Sequence, residues 1–168
     1  MKAALVERGG AVHSNPLDLV EEIVTAHDWS FERAGDDELV AQLTGRWGDY
    51  RLFFAWNSEM SALQFTCSLD LKVPDNKRRA VVELLALINE SLWAGHFELS
   101  ASEGIALFRH SLLLRGAGGA SVEQLEDLVD IALSEGDRFY PAFQFVIWGG
   151  RGPSDAMVSA MIDTIGEA

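Results

Sequence analysis

The segment from residue 63 to residue 72 alternates strictly between apolar and polar residues, and this alternation constrains the fold more than any other feature. Its apolar members are Leu63, Phe65, Cys67, Leu69 and Leu71. Its polar members are Gln64, Thr66, Ser68, Asp70 and Lys72. Because successive side chains of a β-strand point to opposite faces, the pattern predicts a strand with one buried and one exposed face. Such strands are typical of antiparallel sheets that are covered on one side.

Five further short segments, each bounded by turn residues, predict the rest of the sheet. They span residues 29–33, 38–46, 50–57, 97–101 and 105–115. Tight turns join the first three to one another and to the alternating strand, which predicts a four-stranded meander. The last two are joined at Glu103-Gly104, which predicts a hairpin. The predicted sheet is therefore antiparallel, with about six strands.

Two helices are predicted before the hairpin. The first begins at Asn15-Pro16, because asparagine caps helices and proline at the first helical position loses no hydrogen bond. The second begins at Pro74-Asp75 and runs to about Trp93, where Gly95 stops it. Both segments have apolar residues at helical spacing, so both are expected to pack on the sheet.

Two more helices are predicted after the hairpin. Residues from Ser121 match the capping-box pattern, and an apolar stripe then continues across Pro141, which predicts one long kinked helix. Ser154 is placed to cap a last helix. The apolar residues that share one face of that last helix are Met157, Val158, Met161, Ile162 and Ile165. The predicted order is α-ββββ-α-ββ-α-α, which is an α+β fold.

The length of the chain predicts a single domain. Its 168 residues are enough to bury a sizeable core, and 48% of them are hydrophobic. We assign residues 15–168 to this domain. Residues 1–14 have no sustained period and are expected to form a mobile or loosely docked lead-in.

The net charge of −13 argues against two classes of partner. An acidic surface repels both nucleic-acid phosphates and anionic lipid headgroups, so neither nucleic acid nor a membrane surface is expected as a partner. The single cysteine cannot form an internal disulfide, and the apolar run near the N-terminus is too short for a signal peptide. A cytoplasmic location is therefore expected.

The residue types that carry out catalysis show no recognisable arrangement. The four histidines, His13, His27, His96 and His110, form no metal-binding pattern, although His96 and His110 lie on strands predicted to pair. Cys67 lies on the apolar face of its strand, where a thiol is buried and inert. No serine lies in a G-x-S-x-G motif. We predict no enzyme activity, no metal site and no cofactor.

The second helix carries two neighbouring apolar stripes, whereas one sheet face requires only one. Val81, Leu84, Leu85, Ile88 and Leu92 form the first stripe. Val82, Ala86, Asn89 and Trp93 form the second. The second stripe either is covered by the first helix or forms a subunit interface, with Asn89 buried and hydrogen-bonded. An intramolecular role for Asn89 is favoured.

The last helix also has two interpretations. Met157 and Met161 lie on an apolar face, and methionine side chains make adaptable contacts with partner peptides. The alternative, which is favoured, is that this helix docks on its own domain. The candidate interface residues are thus Val82, Ala86, Asn89, Trp93, Met157 and Met161.

Three segments of the chain suggest a family. They read "VPDNKRRAVVELLALINESLWAGHFEL" at 73–99, "GIALFRHSLLLR" at 104–115 and "RFYPAFQFVIWGG" at 138–150. The matching features are Asn89, the turn from Trp93 to Phe97, the strand from Arg109 to Leu114, and Pro141-Ala142-Phe143. Together these resemble the YbjN-like family of bacterial sensory transduction regulators over about residues 16–168. The resemblance implies a fold like that of type III secretion chaperones, usually dimeric, and implies no enzymatic activity.

We therefore predict a non-enzymatic interaction protein, a homodimer, that binds a protein or peptide partner in a chaperone-like or adaptor role. The main alternative is a small-molecule sensor with a ligand cavity between sheet and helices. A third hypothesis, a hydrolase or transferase, requires clustered titratable groups at a cleft, which the sequence does not display.

Overall fold

The computed structural model describes the backbone of residues 15–165 and the side chains of residues 15–162. The predicted lead-in, residues 1–14, lies outside the described residues. So does the side chain of Ile165.

The order of elements confirms the α+β prediction. The helices are α1 (Pro16–Ala26), α2 (Arg78–Ser91), α3 (Val122–Ile147) and α4 (Pro153–Ile165). The strands are β1 (Ser30–Ala34), β2 (Glu38–Thr44), β3 (Asp49–Asn57), β4 (Ala62–Lys72), β5 (His96–Leu99) and β6 (Ile105–Leu113). A single 3₁₀ turn, Asp75–Lys77, precedes α2.

The six strands form one sheet in the order β1-β2-β3-β4-β6-β5, and every pair in it is antiparallel. The predicted meander comprises β1 to β4, and the predicted hairpin adds β6 and β5 beyond β4. A central row of paired residues crosses the sheet on its helix-facing side: Ala41, Leu52, Cys67, Phe108 and Phe97. The five apolar residues of the alternating strand are at most 1% exposed, so the predicted buried face is confirmed.

Aromatic side chains fill the layer between the sheet and the helices. The ring centroid of Phe97 lies 5.3 Å from that of Phe108, 6.1 Å from that of Phe139 and 5.9 Å from that of Phe143. These four residues belong to β5, β6 and α3 and are at most 1% exposed. The core therefore ties the far edge of the sheet directly to α3.

Helix α3 is a single helix across Pro141, as predicted, and it begins with the predicted capping box. Ser121 Oγ accepts a hydrogen bond from Gln124 N, and Gln124 Oε1 accepts one from Ser121 N. Polar contacts fix α3 on the sheet as well: Tyr50 Oη donates to Asp137 Oδ1 at 2.7 Å, and Tyr140 Oη donates to the carbonyl of Asp70 at 3.2 Å.

The predicted bounds of the second helix were wrong at both ends. Residues 75–77 form the 3₁₀ turn, and the α-helix ends at Ser91, with Leu92 already extended (φ −82°, ψ 135°). The early ending has a structural reason, because the chain must reverse within a few residues to bring β5 beside α2. Gly95 makes this reversal with φ +67°, and a Cβ at that position would lie 2.2 Å from Phe108 Cζ.

Within residues 15–165, no helix combines the length and the apolar character needed to cross a membrane.

Candidate protein-binding surface

The two predicted stripes of α2 have different environments. Val81, Leu84 and Ile88 are fully buried, which is the stripe that the core requires. On the neighbouring stripe, Val82 is 54% exposed and Ala86 is exposed. We call Val82 and Ala86 the α2 flank. Since both side chains are exposed, α1 (Pro16–Ala26) does not cover them, and the alternative in which α1 wraps this flank is wrong.

Asn89 is directed toward the domain and not toward the flank. Its side-chain amide donates to the carbonyl of Phe97 at 3.0 Å, and its Oδ1 accepts from Phe97 N at 2.8 Å. Phe97 is 1% exposed, so neither backbone group has ready access to water. One side chain therefore satisfies both polar groups of a buried strand residue and attaches β5 to α2. This is the favoured intramolecular role.

Trp93 does not continue the stripe of Val82 and Ala86. It lies beyond the end of α2, in the turn that leads to β5, and is 79% exposed. The sequence period assumed a helix as far as Trp93, but the chain leaves the helix at Leu92. The four residues of the second stripe thus divide into an exposed flank, an internal clamp and an exposed turn residue.

Helix α4 docks on its own domain, where it packs on α3 and α2. However, the side that faces the domain is not the predicted apolar face. Ala156 is fully buried, Ala160 is 3% exposed, and Met157 is half-buried against the core. Small residues thus make the inward contact, and they allow α4 to approach its neighbours closely.

Most of the predicted apolar face of α4 points outward. Val158 is 59% exposed, Met161 is 45% exposed and Ile162 is 62% exposed. Their spacing of three and four places them on one side of the helix. We call these three residues the outer stripe. The two candidate methionines therefore separate, since Met157 faces inward and Met161 faces outward.

The segment between α3 and α4 contributes one polar contact to the docking of α4. The guanidinium of Arg151 lies 4.9 Å from the ring centroid of Phe145 on α3, and its Nη1 donates to Ser159 Oγ at 2.5 Å. Gly150, with φ +63°, makes the turn that precedes it. Trp148 ends α3 and is 62% exposed, an apolar residue that the sequence analysis did not single out.

Two titratable side chains in the core, Cys67 and Tyr50, have raised pKa values. Burial raises the pKa of the Cys67 thiol from an ordinary value of 9.0 to about 12. Burial likewise raises the pKa of Tyr50, and its hydrogen bond to Asp137 adds to the effect. Within residues 15–162, no group of three or more His, Cys, Asp or Glu side chains is placed to hold a metal ion.

The two strand histidines lie on opposite faces of the sheet. His96 pairs across from Arg109, whereas His110 is the next residue of β6 and pairs across from Phe65. His96 Nε2 lies 3.3 Å from Glu98 Oε2, and burial lowers the pKa of His110, with a smaller contribution from His96. The predicted approach of two histidines on paired strands therefore does not produce a joint site.

Comparison with known proteins finds a family model that matches the chain and solved structures with a similar fold. The YbjN family model, described as "Putative bacterial sensory transduction regulator", matches residues 16–145. A crystal structure of the ExsC–ExsE complex contains a chain with a TM-score of 0.53 at 15% identity, over 73% of this chain and 89% of that chain. The crystal structure of YbjN from E. coli gives a TM-score of 0.51 at 16% identity, over 79% of this chain and 88% of that chain. No curated protein matches the sequence.

These likenesses show the fold, and they confirm the fold class that the sequence resemblance implied. The family match begins at the first residue of α1 and ends inside α3, so α4 lies beyond it.

Proposed function

We propose that this chain, which belongs to the YbjN family, is a non-enzymatic regulatory or chaperone-like protein that binds a protein or peptide partner. The observation that carries the proposal is the outer stripe of α4, where three large apolar side chains on one side of a helix are each about half exposed or more. Exposed apolar residues that cluster on one face mark interaction surfaces, whereas scattered ones do not. An extended or helical peptide segment fits such a face.

The fold comparison supports a protein partner. One chain of the ExsC–ExsE complex has this fold, and that chain is itself part of a complex. A sequence identity of 15% carries the fold alone, so the support is for a protein partner as a class.

The chemistry of the described residues supports a role in binding over one in catalysis. The only thiol, Cys67, is fully buried, and its raised pKa keeps it protonated at neutral pH. The small-molecule alternative requires a cavity between sheet and helices, and the described residues of that layer instead pack ring against ring.

We also propose that the protein is a cytoplasmic homodimer in which the α2 flank contributes to the subunit contact. The support is the exposure of Val82 beside a fully buried stripe on the same helix. A net charge of −13 opposes nucleic acid and anionic membrane surfaces as partners, and a single buried cysteine gives no reason to place the chain in an oxidising compartment.

Affinity capture with matched variants tests the partner. We expect the wild-type chain to retain a specific protein that the double variant Val158→Glu/Ile162→Glu loses, because two carboxylates would have to be desolvated on binding. The control is Met60→Glu, which places a carboxylate on an equally exposed apolar residue in the β3–β4 turn. If Val158→Glu/Ile162→Glu and Met60→Glu capture the same amount of the specific protein, the outer stripe is not its binding surface. If no chain captures a specific protein, the proposed protein partner is refuted.

Light scattering tests the homodimer separately. The wild-type chain is expected to have twice the monomer mass at micromolar concentration, and Val82→Glu is expected to shift it to the monomer, with Met60→Glu again as the control. A wild-type monomer would refute the dimer and leave the partner proposal standing.

A further inference from the structure

The two outer strands of the sheet, β1 and β5, have differently finished edges. At the β5 edge, the Asn89 side chain bonds both the N–H and the carbonyl of Phe97. It takes the hydrogen-bonding place of a further strand, so this edge is closed at Phe97. At the other edge, β2 is the only strand among the described residues that pairs with β1. We call the free side of Ser30–Ala34 the β1 edge.

A hydrogen bond on the far side of β2 determines which backbone groups of β1 face outward. Trp56 N donates to the carbonyl of Asp37 at 2.8 Å. Because bonding alternates along an antiparallel strand, the odd-numbered residues of β2 bond to β3 and the even-numbered ones bond to β1. The residues of β1 that pair with those even-numbered residues are Ser30, Glu32 and Ala34. Phe31 and Arg33 therefore direct their N–H and carbonyl groups away from the sheet.

The backbone groups at both ends of this outward-facing pair already have partners. Trp29 N donates to the carbonyl of Val24 at 3.0 Å. Arg33 Nε donates to the carbonyl of Gly35 at 3.1 Å. Between these ends, the β1 edge presents two residues that each offer one donor and one acceptor, and the Phe31 ring is 38% exposed beside them. An extended peptide adds to a sheet edge of this kind as a further strand.

The surroundings of the β1 edge are negatively charged. An open hollow of about 540 Å³ lies between α1 and β1, and it is lined by Asp18, Glu21, Glu22, Thr25, Ala26 and Arg33. Arg33 is the single cation of that lining, and its guanidinium lies 2.8 Å from both Asp18 Oδ1 and Glu21 Oε2. Glu22 and, on the opposite face of β1, the exposed Glu32 add further negative charge. The charge complement of this edge is a strand that carries lysine or arginine.

We infer that the β1 edge binds an extended, positively charged segment of a partner protein, which joins the sheet beside β1. The backbone of the segment pairs with Phe31 and Arg33, and its cationic side chains meet the carboxylates around the edge. A second copy of this chain does not fit, because two β1 edges would bring like charges together. The inference rests on the proposed function, since it names the chemistry of a protein partner, but its surface is separate from the outer stripe of α4.

The test measures the binding of two fluorescent peptides to the full chain by fluorescence anisotropy. One is acetyl-Lys-Val-Lys-Val-Lys-Val-Lys-amide, and the other has glutamate in place of every lysine. We expect the wild-type chain to bind the lysine peptide at least about tenfold more tightly than the glutamate peptide. Equal affinity for the two peptides, or no binding of either one, would overturn the inference.

Two variants of Phe31 separate strand addition from general attraction between charges. Proline lacks an N–H and is tolerated on the solvent side of an edge strand, so Phe31→Pro removes one outward donor and keeps the pairing with β2. Phe31→Thr also removes the ring but keeps the donor, in a residue type that favours strands. We expect Phe31→Pro to bind the lysine peptide at least about fivefold more weakly than Phe31→Thr does. Similar binding by the two variants would refute strand addition.

A second pair of variants tests the choice of a basic segment. Glu22→Gln/Glu32→Gln removes two charges at the β1 edge, and we expect it to bind the lysine peptide at least about threefold more weakly than the wild-type chain does. The control is Glu90→Gln/Glu126→Gln, which removes two exposed charges from α2 and α3 and should keep the wild-type affinity. Equal affinities for the two double variants would refute the charge selection.

A measurement on the wild-type chain keeps the inference testable if Phe31→Pro does not fold. The lysine peptide should slow amide hydrogen exchange at Phe31 and Arg33 at least about tenfold, because their N–H groups become hydrogen-bonded. Exchange at Val82 on α2 should not change. Unchanged exchange at Phe31 and Arg33 with the peptide bound would overturn the inference.

Light scattering distinguishes a second copy from a basic partner. A wild-type dimer that becomes monomeric in Phe31→Pro but not in Phe31→Thr would mean that another copy occupies the β1 edge, and the inference would be wrong. Failure at the β1 edge is separable from failure of the proposed function. A specific protein that is captured through the outer stripe, by a chain that binds neither peptide, would refute the β1 edge alone.

Discussion

Helices α2 and α4 both pack on α3, yet the chain attaches them in different ways. Helix α2 buries a full stripe of large apolar side chains, and Asn89 adds two hydrogen bonds to the backbone of β5. Helix α4 buries two alanines and half of a methionine, and keeps its larger apolar residues in solvent. Burial of an alanine methyl contributes about 0.8 kcal/mol, whereas a buried leucine contributes about 1.5–3 kcal/mol. Similar helical periodicity therefore serves the core in α2 and a surface in α4.

The largest expected effect is on the reactivity of the Cys67 thiol. This side chain lies in the core, which α2 helps to form, so its labelling rate measures how well that core excludes solvent. With its pKa raised to about 12, the thiolate fraction of Cys67 at pH 8 is about a thousandfold below that of an ordinary thiol, and the side chain is fully buried. We expect native protein to react with a thiol reagent such as dithionitrobenzoate at least about a thousandfold more slowly than unfolded protein. The variant Met60→Glu, which changes an exposed residue, should react as slowly as the wild type. Native protein that reacts at the rate of unfolded protein would contradict the burial of Cys67.

The raised pKa of Cys67 also predicts how the unfolding free energy changes with pH. The protonated form is favoured in the folded state, so its contribution to stability is complete below about pH 9. That contribution is lost as the pH rises from about 9 toward 12, because the unfolded chain ionises first. Urea titrations across this range should show a decline that is smaller in Cys67→Ala. An equal decline in that variant would assign the pH effect to other groups.

Leu84→Ala tests the anchoring of α2. Leu84 is fully buried, and removal of a buried leucine side chain costs about 2–5 kcal/mol of unfolding free energy. The control on the same helix is Val82→Ala, which should change the unfolding free energy by less than about 0.5 kcal/mol because Val82 is half exposed. Similar losses for the two variants, measured by urea unfolding, would contradict the division of α2 into a core stripe and a flank.

Asn89→Ala tests the clamp between α2 and β5. The change leaves the N–H and the carbonyl of buried Phe97 without their partner, and we expect a loss of about 2–3 kcal/mol. Glu90→Ala, at an exposed neighbouring position, serves as the control. If both variants unfold at the same urea concentration as the wild type, water replaces the clamp at no cost, and β5 is held by its pairing with β6 and by its aromatic core.

Arg151→Ala is expected to have the smallest effect on global stability, below about 1 kcal/mol, because its contact with Ser159 is exposed. It should still speed amide exchange in α4, since the leading segment of the helix would lose its tie. Unchanged exchange in α4 would show that its contacts with α2 and α3 hold the helix without this tie.

The sequence predicted the fold well because the fold depends on patterns that the chain carries locally. The alternation of β4, the capping box at Ser121 and the helical stripe across Pro141 each specify an element without reference to the others. The early end of α2 was not predictable from its period, because it follows from the clamp of Asn89 on Phe97, a contact between elements. The contact of Tyr50 with Asp137 likewise joins residues that are far apart in sequence and has no local signal.

The candidate site was predicted less completely. The periodicity of α4 correctly grouped Val158, Met161 and Ile162, but a period identifies a face and not its environment. The inward side consists of Ala156 and Ala160 together with Met157, and alanines carry little weight in a hydrophobic pattern. The interface roles of Val82, Ala86, Trp93 and Met161 therefore stay predictions for the capture and light-scattering experiments.

The strand order has a consequence for how this chain reaches its native state. Neighbours in the sheet are also neighbours in the chain for every pair except β4 and β6, where residues such as Cys67 and Phe108 meet across α2 and β5. Contacts between distant residues slow folding because a long loop must close before they form. The meander of β1 to β4 and the hairpin of β5 and β6 are thus two fast local units. Their joining along β4 and β6 is the step that we expect to limit the folding rate.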